Sequence, residues 1–256
     1  MKLFAGVLVI LGLMTGAAQA AGGPEFTVNL LQPLRSFDGP PIQNLTKSDA
    51  RRLVNAPVRF GFYDAGRYVA STISGVHFVK RNQPAREIAN CRQYFSATAQ
   101  GFKPENNFDN KMASYLVEVC GVLRATQKAQ RPRQSFIDRP HVGLRDVDII
   151  SAAILPGLFA FTQSDNTRMR SQTVREFARS NKCTIAATEV LLKVTCHGEL
   201  LSVSAFARAD FKGNGREGIL VWAQAYATEG SFYYAGPFAV LSRASRSERL
   251  SPSPLN

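Results

Sequence analysis

The sequence predicts an α+β protein: an N-terminal helical hairpin pinned by a disulfide, followed by a C-terminal, mostly antiparallel sheet. Three observations lead there. Two stretches, 84–100 and 109–130, repeat apolar residues at helical period, and each holds one cysteine. From Thr184 to Ser242 the pattern changes to short strands with brief connections. Helices and strands follow one another rather than alternating, which disfavours βαβ units.

The elements are expected in this order. Lys2, the apolar run Leu3 to Met14 and the small-residue ending Ala18-Gln19-Ala20 read as a cleavable secretory signal over residues 1–20. That run is too short to span a bilayer, and no later stretch is long enough, so no membrane span is expected. Residues 21–45, rich in proline and glycine, read as an extended arm. Thr46 and Asp49 have capping-box spacing for a short helix, Lys47 to Asn55. Val58 to Val79 alternates aromatic and β-branched residues around Asp64-Ala65-Gly66, a hairpin pattern. The helical hairpin completes a mainly helical region, 46–135. A polar linker, Gln130 to Pro140, marks the best boundary. Beyond it lies an α+β region, 141–245, with short helices at 147–155 and 172–180 and strands at 184–190, 192–196, 200–207, 219–226 and 232–241. Residues 246–256 read as a disordered tail.

The four cysteines fit an exported chain with two disulfides. Gly101 to Pro104 breaks the two helices. At about 1.5 Å per residue, Cys91 then sits about 15 Å before the turn and Cys120 about 16–20 Å after it. Cys183 and Cys196 flank a stretch able to turn back on itself. Local pairing, Cys91 with Cys120 and Cys183 with Cys196, is therefore expected. No Cys-x-x-Cys occurs to suggest a metal or redox site.

The 256 residues are 45% hydrophobic and 20% charged, ordinary for a globular chain, with a net charge of +12. Outside the cytoplasm such charge meets lipid head groups and wall polymers rather than nucleic acid. Expected partners are therefore an envelope protein or an anionic wall or lipid polymer. Arg175, Arg179 and Lys182 fall at i, i+4 and i+7, either a solvated helical face or an anion-binding surface.

The most distinctive motif runs from Ala209 to Val221: Ala-Asp-Phe-Lys-Gly-Asn-Gly-Arg-Glu-Gly-Ile-Leu-Val. It resembles the calcium loop of FG-GAP and VCBS-type secreted bacterial proteins, in which acidic residues ligate calcium at the first, third, fifth and ninth places. The resemblance covers only this segment. Asp210 fills the first place and Asn214 the fifth, but Lys212 takes the third and Gly218 the ninth. Calcium wants six or more oxygens, so the loop reads as degenerate and calcium-free, with Gly213, Asn214 and Gly215 supplying positive φ. No cofactor is expected.

His77, His141 and His197 belong to no metal-binding spacing. Asp146 with Asp148, and Asp210 with Glu217, are the carboxylate pairs nearest in sequence, and the first reads as the opening turn of a helix. Tyr226 and Phe232-Tyr233-Tyr234 are either packing residues or a sugar platform. No nucleophile elbow, P-loop or dinucleotide fingerprint is present. The function expected is non-catalytic binding in the envelope. The alternative is a periplasmic hydrolase of wall or glycan material, with carboxylates or a histidine drawn from distant segments.

Overall fold

The computed structural model describes residues 25–64, 67–70, 75–137, 143–155, 169, 171–228 and 233–255; for 61–64, 67–70 and 233 only the backbone is described. The expected signal segment, His141 and Phe232 lie outside these residues.

The main sheet, antiparallel and eight-stranded among the described residues, is buried on both faces. Its order is β13(Ser251–Pro254), β12(Tyr233–Ser242), β11(Gly218–Ala227), β10(Glu199–Ala209), β1(Thr27–Leu34) and β2(Ile42–Thr46). Strands β8(Thr184–Ala187) and β9(Leu191–Cys196) form a hairpin, and β9 pairs with the first half of β10. Alternation along β11 builds two cores. Leu220 and Trp222 enter the N-terminal one, Ile219, Val221, Ala223 and Ala225 the other. The pairing of β10 with β11 shifts between Ala205 and Ala207. Ahead of that irregularity Leu201, Val203 and Ala205 join the second core; Phe206, Ala207 and Ala209 join the first.

The first core is covered by α1(Lys47–Leu53), α2(Cys91–Ala99) and α3(Asn107–Lys128). Thr46 and Asp49 form the capping box read from their spacing: Thr46 Oγ1 accepts from the Asp49 N–H at 3.0 Å, and Asp49 Oδ2 from the Thr46 N–H at 3.3 Å. That bonding, led by the Thr46 side chain, holds the Asp49 carboxyl below its ordinary range. α3 lays Met112, Leu116, Val119 and Leu123 against the sheet. Gly121 lets the helix approach closely, because a Cβ there would overlap the Phe238 ring, with Cζ at 2.8 Å. The second core is covered by residues 144–155, which include a 3₁₀ turn at Ala152–Ile154, and by α4(Val174–Ser180).

Both disulfides pair as the spacing predicts: Cys91–Cys120 and Cys183–Cys196. Such bonds persist in oxidising compartments. Among the described residues no helix is long and apolar enough to cross a membrane.

Several expectations need correction. The helix expected over 84–100 begins only at Cys91, capped by Asn90 Oδ1 on the Gln93 N–H at 2.9 Å. Residues Gln83–Ile88 are instead β6, paired with β5(Val76–Lys80) through a turn in which Asn82 takes φ +62°. With β7(Lys103–Pro104), these strands make a second sheet, β6-β5-β7, so the region 46–135 is mixed rather than mainly helical. β3(Gly61–Asp64) and β4(Arg67–Ala70) form the hairpin around 65–66. The arm expected over 21–45 becomes β1 and β2 from Thr27 onward, and Leu30 pairs with Ala207. The tail is ordered too: β13 pairs with β12, and Pro252 and Pro254 are tolerated on an edge strand. Residues 147–155 form turns and the 3₁₀ turn, not an α-helix. The two expected regions thus share one sheet. Their linker is stitched to the Asp210 loop, because Gln130 and Asp210 exchange backbone hydrogen bonds at 2.8 and 3.0 Å.

Candidate functional site

The loop between β10 and β11, singled out by sequence, forms one wall of a cleft of about 570 Å³. Lys212 and Asn214 of the loop line it together with Lys128, Gln130, Pro254 and Leu255, and among the described residues no acidic side chain does.

Asp210 is 1% exposed and organises the loop from beneath. Its Oδ1 accepts from the N–H groups of Lys212 at 3.1 Å and Asn214 at 3.2 Å, its Oδ2 from that of Gly215 at 2.7 Å. Asn214 Oδ1 accepts from the Arg216 N–H at 3.0 Å. Both side chains suit a loop that folds on its own amides. Gly213 and Gly215 take φ of +69° and +80°; Asn214, contrary to expectation, does not join them. The carboxylate pair Asp210 and Glu217 is not assembled as acid and base. Glu217 is instead held by Arg208 at 2.9 Å and by Ser135.

The basic face around α4 is only partly built. Arg175 and Arg179 lie on the helix, but Arg175 donates to Asp148. Lys182 lies beyond the C-cap at φ +55° and so leaves the helical register. His197 occupies the β9–β10 turn at φ +47°. Tyr226 stands opposite Tyr233 in the sheet, and its hydroxyl donates to Gln224. Tyr234 is 41% exposed and lines a groove with Phe78, Tyr94, Phe102 and Val117.

Sequence reasoning missed two features. One is the meeting of His77 with Glu105 and Asp109. The other is Glu118, half-buried on α3. Burial pushes its carboxyl up to about 7, and burial followed by Glu118 and Tyr115 pushes the Tyr226 phenol up to about 12. An amphipathic helix offers no sequence cue that one of its carboxylates will face a sheet.

The sign of the resulting pH dependence follows from the raised value. Below about pH 4.5 Glu118 is protonated in both the folded and unfolded chains, and its contribution is fully present. Between there and about 7 only the unfolded chain ionises, so stability falls; above that the loss is constant. Glu118→Gln is expected to flatten this slope and to stabilise the protein at about pH 8 by roughly 1–2 kcal/mol, discounted for partial exposure. Denaturant midpoints at acidic and alkaline pH measure it. An unchanged slope would count against the assignment.

No family model, no curated protein and no solved structure matches this chain.

Proposed function

We propose that the protein is an exported, non-catalytic binding protein of the cell envelope, whose cleft beside the Asp210 loop receives an acidic group of a wall or lipid polymer. The carrying observation is the cleft itself: Lys212 lines it beside Gly213 and Asn214, and among the described residues no acidic side chain lines it. The Asp210 carboxylate, the nearest negative charge in the loop sequence, lies beneath the surface and is engaged by three amides. Lys212, on a wall with no acidic side chain among the described residues, attracts phosphate or carboxylate groups at short range, and the full chain's net charge of +12 draws anionic polymers from further away. Export is supported by the signal-like segment at residues 1–20 and by the two disulfides.

Vesicles of phosphatidylglycerol, with phosphatidylcholine as the neutral control, test this reading. Lys212→Glu is expected to weaken binding to the anionic vesicles about five- to tenfold, and raised salt should weaken it further. Lys193→Glu, on the exposed side of β9, changes net charge equally and should cost much less. Equal losses from the two variants would leave only general basicity and remove the cleft. Binding indifferent to salt would remove the electrostatic reading altogether.

A further inference from the structure

The geometry points to a divalent transition-metal site, of zinc type, formed by His77, Glu105 and Asp109. Their ligand atoms, one from each residue, all lie within 4.8 Å of one another. Three separate segments bring them together. His77 is on β5. Glu105 follows β7, which pairs with β5, and its N–H donates to the His77 carbonyl at 3.0 Å. Asp109 lies in the first turn of α3.

The arrangement combines one fixed ligand with two adjustable ones. Asp109 is 4% exposed, and both its oxygens are oriented. Oδ1 accepts from the His77 backbone N–H at 3.1 Å and Oδ2 from Asn106 Nδ2 at 2.6 Å. Each oxygen keeps a further lone pair, and hydrogen bonds of this kind are how proteins aim a metal-ligating carboxylate. His77 and Glu105 are exposed and can rotate. Ligands about 2.1 Å from a tetrahedral zinc lie about 3.4 Å apart, so the two mobile side chains need to close by at most about 1.4 Å.

The donor set selects the metal class. One imidazole and two carboxylates suit zinc, cobalt, nickel or manganese, whereas calcium requires more oxygens than these residues offer. Three protein ligands leave a fourth position for water or for an anion. The four cysteines are in disulfides, so thiolate does not compete for the ion.

Titration of the disulfide-intact protein with Co²⁺, followed by d–d absorption, and Zn²⁺ competition against a chromophoric chelator are the tests. One equivalent per chain with micromolar or tighter affinity is expected. His77→Ala and Glu105→Gln should each weaken it at least about tenfold, and His197→Ala should leave it unchanged. Asp109 is left intact because its carboxylate also holds the side-chain amide of Asn106, the N-cap of α3. Absence of stoichiometric binding would overturn the proposal, as would an affinity that neither His77→Ala nor Glu105→Gln alters.

Discussion

Replacing Cys91 and Cys120 together by alanine is expected to lower the unfolding free energy by about 3–4 kcal/mol. The bridge spans 29 residues of sequence, and losing it returns that loop's closure entropy to the unfolded chain. Both sulfurs are fully buried, so alanine also leaves unfilled space in the first core, adding to the loss. The second bridge spans only 13 residues and joins the ends of a hairpin already in register, where Thr184 faces Thr195. Its removal should cost less, about 3 kcal/mol. Urea midpoints of the two double variants decide the ranking; a larger loss from the Cys183–Cys196 pair would overturn it.

Gly121→Val should produce a comparable loss, about 3–4 kcal/mol, although glycine is a poor helix former. On an exposed helix face a larger side chain would gain roughly 0.5–1 kcal/mol in propensity. Here any Cβ meets the Phe238 ring. That ring cannot simply turn away: it stacks on Trp222 at 5.9 Å and 2° and lies 5.6 Å from Phe206. Trp222 is itself tied by its Nε1–H to the Gly236 carbonyl at 2.8 Å. Overpacking therefore pushes α3 off the sheet. Phe238→Ala alone should cost about 3–4 kcal/mol by leaving a cavity. The double variant should lose clearly less than the sum, with a coupling of at least about 1 kcal/mol. Strict additivity would mean that the two residues do not share this contact.

What could be read in advance divides by the distance over which the cause acts. The Thr46 capping box depends on a neighbour three residues away, while the two disulfides and the strands from β8 to β12 join segments adjacent in the chain, with the cysteines marking their own partners, and the sequence carries them. Ile88 and Cys91 share helical spacing, yet Ile88 is strand because it pairs with Val76, which no local pattern reveals. β1 looked like an arm because β10, which pairs with it at Leu30, lies far along the chain; β13 looked like a tail because two of its four residues are prolines, although its partner β12 is the preceding strand. In the site, Gly213 and Gly215 were legible as positive-φ residues, since their chemistry is their own. The role of Asp210 as an acceptor of loop amides is local as well, but it competes on paper with metal ligation. The meeting of His77 with Glu105 and Asp109 depends on β7 docking beside β5 and could not be read from spacing.

The seat of β1 between β2 and β10 also sets a timetable. Ribosomes deliver a chain from its N-terminus, so β1 and all three helices of the first core emerge before the strand that receives them. Until Ala207 arrives, Leu30 lacks its cross-strand neighbour, and the Met112-to-Leu123 stripe of α3 has no sheet to cover. Closure of the first core is therefore a late event governed by the last third of the chain, and a half-made molecule shows a long apolar stripe to its surroundings. Truncation ahead of β10 leaves an incomplete sheet rather than a smaller domain, and the waiting segment is where a holding chaperone would act.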